Sequence, residues 1–140
     1  MRVQRIDHIH LYVKDMDKAK SLFSRIFNTE FSHNTVDEKY NMCLSVDPLG
    51  IELVSPLSAD SQIAKDIEKR GEGVHGISFK VEDIEEATAD LVAAGLRVVG
   101  RINVGGLKEV QFHPRDTFGV MVEVCEYKET HSMTRAALEQ

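Results

Sequence analysis

Three residues suited to metal binding stand out, namely a histidine on an alternating strand and two glutamates that interrupt apolar runs. His8 lies near the start of the chain, and Glu52 and Glu123 each lie inside a short run of apolar residues. A carboxylate among apolar neighbours is costly to bury unless it is paired, hydrogen-bonded or bound to a metal. Imidazole nitrogen and carboxylate oxygen are suitable ligands for zinc, cobalt, manganese, nickel or iron. The three residues therefore predict a divalent metal site.

Each of these residues also has a simpler interpretation. On an edge strand, Glu52 or Glu123 would extend into water, and His8 would be an ordinary core histidine whose hydrogen bonds are satisfied. The presence of a glutamate at equivalent places in two similar segments favours the metal site, because a coincidence of this kind is less expected.

The alternation of residue types around His8 predicts which side chains share a face. Successive side chains of a strand point to opposite faces. Ile9, Leu11 and Val13 form the apolar set that should contact helices. His8, His10 and Tyr12 are therefore predicted to lie together on the other face.

The elements that position these residues occur twice in the chain. Residues 8–16 match residues 76–84, and each segment is an alternating strand that ends in an acidic residue placed to cap a helix, Asp15 or Asp83. One helix carries an apolar stripe of Met16, Ala19, Leu22, Phe23, Ile26 and Phe27, and the other carries Ile84, Ala87, Leu91 and Ala94 before Gly95. Both stripes predict helix faces that are buried in a core.

Three strands are predicted to follow each helix, which gives the order βαβββ twice. They lie near residues 30–35, 39–46 and 50–55, and near 97–102, 107–113 and 119–125. The sequence thus predicts one α+β domain over residues 1–127, with module one at 3–57, a linker helix within 58–72, module two at 73–127 and a polar tail at 128–140. The two modules are expected to pair into a curved mixed sheet around a concave site.

Composition restricts the classes of partner and the compartment. The chain has 140 residues and a formal charge of −6, with no basic stripe for nucleic acid and no apolar run long enough for a membrane span. We therefore predict a cytoplasmic protein that binds neither nucleic acid nor membranes. The two cysteines, Cys43 and Cys125, lie in apolar runs without CxxC spacing and are predicted to be buried, reduced thiols.

Short motifs over residues 5–127 carry a resemblance to a known family. They lie at residues 6–8, 51–57, 60–65, 73–84, 105–106, 112–115 and 119–123. In these motifs the chain resembles methylmalonyl-CoA epimerases, which belong to the vicinal oxygen chelate superfamily together with glyoxalase I, extradiol dioxygenases and antibiotic-resistance proteins. The resemblance implies the two-module fold of that superfamily, a divalent metal ion, an acyl-CoA substrate and a homodimer.

The resemblance also implies a set of metal ligands, and this sequence departs from it at one position. The ligands of such epimerases correspond to His8, Glu52, Gly76 and Glu123, where Gly76 replaces a histidine. His10 is two residues from His8 on the same predicted strand face and could supply the missing imidazole, although it could equally form a polar wall of the substrate pocket.

The activity implied by the resemblance is proton transfer at the carbon next to a CoA thioester carbonyl. Glu123 and Glu52 are the candidates for base or metal ligand, and the substrate pocket is expected to include Tyr12, Asn41, Gly76 and Ser78. Because one ligand is replaced, two other functions stay open. One is a glyoxalase-like lyase or isomerase or a dioxygenase, and the other is a metal-free protein of the resistance type that binds a small molecule.

Overall fold

The computed structural model describes residues 1–128, and residues 129–140, which include nearly all of the predicted polar tail, lie outside the described part. The elements are β1 (Val3–Tyr12), α1 (Met16–Phe27), β2 (Thr35–Asp37), β3 (Met42–Val46), β4 (Ile51–Pro56), α2 (Gln62–Arg70), β5 (Gly73–Val81), α3 (Ile84–Ala93), β6 (Val98–Val104), β7 (Leu107–Phe112) and β8 (Met121–Glu126). A short 3₁₀ helix, Pro114–Thr117, precedes β8. The order βαβββ, linker helix, βαβββ is confirmed.

The described residues form two compact units. The first comprises residues 1–9 and 75–128, and the second comprises residues 10–74. In the first unit the strands follow the order β1-β5-β8-β7-β6, with β5 parallel to β8 and β7 antiparallel to β6 and β8. In the second unit the order is β2-β3-β4-β1, with β3 antiparallel to β2 and β4. Strand β1 contributes its first residues to one unit and its last residues to the other.

Side-chain caps explain where the helices begin. The side chain of Asp15 accepts a hydrogen bond from Lys18 N at the start of α1, and Asp83 accepts from two backbone amides at the start of α3. Both caps agree with the sequence-based prediction. At α2 the buried Ser61 accepts from Ile63 N, which satisfies one of the free amides of the first turn.

Each unit has its own apolar core. In the first unit α3 packs on the strands through a cluster of Val81, Ile84, Ala87, Val110, Phe112 and Val124. In the second unit α1 packs against Cys43 and Leu53, together with Leu11 of β1 and Val13, which follows the strand. This contact confirms Leu11 and Val13 of the helix-facing set predicted for the first strand, whereas Ile9 belongs to the other unit and is not a member of this cluster. Helix α2 contributes Ile63 and Ile67 to a separate cluster with Tyr12 and Val54.

Two predictions about local structure were wrong. The strand expected near 30–35 is reduced to Thr35–Asp37, and β3 begins at Met42 instead of residue 39. Residues 38–41 form a turn in which Tyr40 N donates to Asp37 Oδ1. In the segment before β2, the hydroxyl oxygen of Ser32 accepts a hydrogen bond from Val46 N of β3. Hydrogen bonds from these short polar side chains replace the backbone ladder that alternation predicted.

The apolar stripe of α1 is only partly buried, contrary to the prediction. Met16 and Ala19 are buried in the core, whereas Leu22, Ile26 and Phe27 in the second half of the helix are exposed.

Among the described helices, none combines the length and the apolar character needed to cross a membrane.

Candidate functional site

His8 and Glu123 contact each other inside the first unit. His8 Nε2 lies 3.3 Å from Glu123 Oε1, and both side chains are almost completely buried. The other ring nitrogen of His8, Nδ1, lies 2.7 Å from the carboxylate of Asp7. Because a carboxylate only accepts, Nδ1 carries the proton, and Nε2 of a neutral ring then presents its lone pair to Glu123. Two electron-rich atoms at this distance are stabilised by a proton or a metal ion shared between them.

A charged network surrounds Asp7 on its other side. The hydroxyl of Tyr127 donates to Asp7 Oδ1, and Arg5 Nη2 lies 2.7 Å from that hydroxyl and 3.4 Å from the carboxylate. The ammonium group of Lys80 lies 4.0 Å from the centre of the Tyr127 ring. A carboxylate that orients a histidine through its second nitrogen is the usual outer support of a metal-binding histidine.

Glu123 is held from a neighbouring strand as well. Gln111 of β7 is its register partner, and Gln111 Nε2 donates to Glu123 Oε2 over 2.7 Å. On the opposite side, Ser78 of β5 is the register partner of Glu123 and is completely buried. Gln111, Glu123 and Ser78 therefore form one row across three adjacent strands.

His10 and Glu52 form the corresponding pair in the second unit. His10 Nε2 lies 3.8 Å from Glu52 Oε1. The Glu52 side chain is 19% exposed, whereas that of Glu123 is 3% exposed. Of the two predicted glutamates, Glu52 thus keeps access to solvent, and Glu123 does not.

The donor set along β1 suits a divalent ion. His8 and His10 are two residues apart on this continuous strand, and each lies beside a glutamate of its own unit, Glu123 for His8 and Glu52 for His10. Imidazole nitrogen and carboxylate oxygen match zinc, manganese, cobalt, nickel or iron. The donor types present therefore fit the divalent metal ion that the sequence predicted.

The residues predicted for a substrate pocket lie in different surroundings. Gly76 is in regular pairing with Met121, two residues before Ser78 on β5. Tyr12 is buried in the apolar cluster with Ile63 and Ile67 of α2. Asn41 ends the turn before β3, and its amide donates to Ser58 Oγ over 2.7 Å.

Three polar residues of this region were missed by the sequence analysis, namely Asp7, Gln111 and Tyr127. The argument that selected Glu52 and Glu123 also applies to Gln111, which lies between the buried residues Val110 and Phe112. Asp7 directly precedes His8 and could have been found as its support. Tyr127 follows the end of β8, where no sequence pattern indicates a contact with a residue 120 positions away.

The cysteines are free and buried, as predicted. Burial strongly raises the pKa of the Cys125 thiol above its ordinary value, and the nearby carboxylates of Asp7, Glu123 and Glu109 raise the pKa further, whereas a hydrogen bond with Ser78 opposes the shift. The raised pKa disfavours the thiolate, which is the nucleophilic form of cysteine, at Cys125.

Comparisons with known proteins show similarity over most of the chain. Over 132 residues the chain is 33% identical to the uncharacterized protein YqjC of Bacillus subtilis strain 168, covering 90% of this chain and 94% of that protein. It is 29% identical over 130 residues to the ethylmalonyl-CoA/methylmalonyl-CoA epimerase of Cereibacter sphaeroides, and the match covers 87% of this chain and 97% of that protein.

A solved structure extends this similarity to the fold. A variant of the methylmalonyl-CoA epimerase of Streptomyces coelicolor, in complex with 2-nitronate-propionyl-CoA, matches with a TM-score of 0.80 at 28% identity, covering 91% of this chain and all of that one. The family model described as glyoxalase/bleomycin resistance protein/dioxygenase superfamily matches residues 5–124. With nearly the whole described chain matched, this protein belongs to the glyoxalase/bleomycin resistance protein/dioxygenase superfamily, the vicinal oxygen chelate group.

Proposed function

We propose that this protein is a metal-dependent epimerase that inverts the carbon next to the thioester carbonyl of a branched dicarboxylic acyl-CoA. The observation that carries the proposal is that each buried histidine of β1 faces a glutamate, His8 facing Glu123 and His10 facing Glu52. The epimerase names of relatives and the acyl-CoA analogue bound to the Streptomyces enzyme support this substrate class.

The residues that would hold a divalent ion are His8 with Glu123 in the first unit and His10 with Glu52 in the second. A divalent ion bound there would polarise the thioester carbonyl and stabilise the enolate charge. The roles of the two glutamates differ because their surroundings differ. Glu123 is engaged by His8 and Gln111 and serves mainly to bind, whereas Glu52 is partly exposed and carries the proton.

The proton step uses Glu52 as general base. Its carboxylate takes the proton from the carbon next to the carbonyl, which leaves an enolate and a protonated glutamate. Return of a proton from solvent to the opposite face of the enolate gives the inverted centre, and Glu52, which is partly exposed, releases its own proton to solvent. We assign substrate contacts to Ser78 and Asn41, with Gly76 providing space and Tyr12 shaping the wall.

Solvent deuterium incorporation tests this proposal directly. The purified protein is loaded with Mn²⁺ or Co²⁺ and incubated in D₂O with methylmalonyl-CoA or ethylmalonyl-CoA, and the mass of the recovered thioester is measured. We expect one deuterium at the inverted carbon, well above the rate without protein. Protein stripped with a chelator provides the control, and full metal occupancy without any deuterium uptake would contradict epimerase activity.

One observation favours a second candidate function. Two histidines and one carboxylate are the ligand set of non-haem iron oxygenases, and β1 carries His8 and His10, each beside a glutamate of its own unit. A ring-cleaving dioxygenase would consume oxygen when the Fe²⁺-loaded protein receives a catechol, whereas the epimerase would not. Absence of any bound metal after purification without chelators would instead favour the metal-free, resistance-type binding protein.

We also infer that the protein acts as a cytoplasmic homodimer. The formal charge of −6 and the absence of a membrane-spanning helix among the described residues support a location in solution. Light scattering of the protein as it leaves a size-exclusion column tests whether it is a dimer, because a mass near 15.7 kDa would indicate a monomer.

A further inference from the structure

Gln111 occupies an unusual position for a polar side chain. It lies on β7 between Val110 and Phe112, two of the residues that build the core of the first unit, and is itself buried. Its register partner on β8 is Glu123, and cross-strand partners present their side chains on the same face. The pairing of β7 with β8 therefore places the side-chain amide of Gln111 next to the carboxylate of Glu123, and both residues lie on strands.

The two oxygens of Glu123 have different partners. Gln111 Nε2 donates to Oε2 over 2.7 Å, whereas His8 Nε2 lies 3.3 Å from Oε1. A carboxylate bound at one oxygen from β7 loses the freedom to rotate, so its second oxygen stays directed at His8. The same construction is found at His8, where Asp7 engages Nδ1 over 2.7 Å and leaves Nε2 for Glu123.

The residue type at position 111 is informative as well. A carboxamide donates a hydrogen bond but carries no charge, so it orients Glu123 and leaves the full negative charge available for a cation. A lysine would neutralise that charge, and an apolar residue would remove the hydrogen bond that Gln111 donates to the buried Oε2.

We propose that Gln111 is a positioning residue that fixes Glu123 as a one-oxygen ligand facing His8. This inference rests on the proposed metal-dependent function. It assigns to Gln111 no contact with the substrate, because its effect passes through Glu123. The loss of such an outer hydrogen bond typically reduces metal affinity about 10- to 100-fold.

The test is a direct Mn²⁺ titration, followed by electron paramagnetic resonance, of the wild-type protein and two matched variants. Gln111→Met removes the amide and conserves the length of the side chain. The chain offers a control in Gln62, whose Nε2 donates to Asp66 Oδ1 over 3.0 Å on the exposed face of α2. Gln62→Met breaks the same kind of hydrogen bond at a position more than 50 residues along the sequence from His8 and His10.

We expect Gln111→Met to weaken Mn²⁺ binding about 10- to 100-fold while Gln62→Met binds like the wild type. The thermal midpoint of the metal-free variants separates positioning from folding, because a purely structural role would lower the midpoint of Gln111→Met and leave its Mn²⁺ affinity unchanged. That result would overturn the inference.

Failure of the proposed function gives a different result. If the wild-type protein binds Mn²⁺ and Gln111→Met weakens it, but no deuterium enters the acyl-CoA, the inference holds and the epimerase proposal fails. If the wild-type protein binds no Mn²⁺, both are overturned.

Discussion

Glu52 and Glu123 have the same side chain and opposite surroundings. The carboxylate of Glu123 is held by Gln111 and faces His8, whereas Glu52 is partly open to solvent at 3.8 Å from His10. A group that transfers protons must exchange them with its surroundings, whereas a ligand benefits from being fixed. This contrast underlies the division of roles that we propose, and it can be tested one residue at a time.

Replacement of Glu52 by glutamine should separate binding from proton transfer. Glutamine keeps an oxygen that can bind a metal but cannot accept the proton, so we expect Glu52→Gln to retain Mn²⁺ binding and to lose about 10²–10⁴-fold in deuterium exchange. Glu123→Ala serves as the comparison and should weaken Mn²⁺ binding, because alanine removes both oxygens that could bind the ion. Exchange at the wild-type rate in Glu52→Gln would show that Glu52 does not carry the proton.

The thiols provide a second test at this scale. Cys43 and Cys125 are buried, and burial raises the pKa of Cys125. At pH 8 we expect native protein to show no fast reaction with a disulfide reagent, and protein in guanidinium chloride to titrate two thiols per chain. Rapid modification of a thiol in the native protein would contradict the burial described above.

At the scale of elements, one ion pair fixes the start of β6 to the 3₁₀ helix. The guanidinium of Arg97 donates two hydrogen bonds of 3.0 Å to Asp116, and Arg97 N donates a third. These hydrogen bonds and the charge of Arg97 lower the pKa of Asp116. A carboxylate with a lowered pKa stabilises the fold at pH values above its ordinary pKa, and this contribution is lost as the pH falls through the lowered value.

Asp116→Asn should therefore lower the thermal midpoint at pH 7 and lower it less near pH 3, because the contribution of the ion pair decreases as the pH falls below the ordinary pKa of the carboxyl. Glu82→Gln is the control, because Glu82 makes a single exposed contact of 3.6 Å with Arg2 and should change the midpoint little at either pH. An equal loss at both pH values for Asp116→Asn would show that the ion pair does not carry the effect.

Sequence patterns predicted the elements of this fold well where periodicity was strong. The linker helix, both capped helices and most strands follow from alternation and from the residues Asp15 and Asp83. Periodicity failed between α1 and β3, because the hydroxyl of Ser32 and the carboxylate of Asp37 bind backbone amides there. Such local bonds depend on geometry that residue types alone do not specify.

The residues assigned to the candidate site stay a prediction, and the residues that contact them were not predicted. Glu52 and Glu123 were selected by their settings in apolar runs and His8 and His10 by strand alternation, and the structure pairs His8 with Glu123 and His10 with Glu52. The contact of Asp7 with Tyr127 depends on residues 120 positions apart and has no pattern in the sequence.

At the scale of the whole molecule, we expect metal binding to increase the stability of the folded protein. A ligand that binds only the folded state at 100 times its dissociation constant adds about 2.7 kcal/mol, which for a chain of this size is a rise of several degrees in thermal midpoint. We expect Mn²⁺ to produce this rise in the chelator-treated wild-type protein and excess chelator to reverse it. A double variant His8→Ala and His10→Ala should show no rise, and an equal rise in that variant would place the ion elsewhere.

The hydrogen bond between Tyr127 and Asp7 has an optical consequence. The chain has three tyrosines and no tryptophan, so its ultraviolet emission comes from Tyr12, Tyr40 and Tyr127 alone. A phenol that donates to a carboxylate emits weakly, because the excited ring readily gives up its proton, and this particular carboxylate also accepts from His8. A metal ion or ligand that moves His8 should therefore change the intensity of tyrosine fluorescence, so binding can be followed without a label.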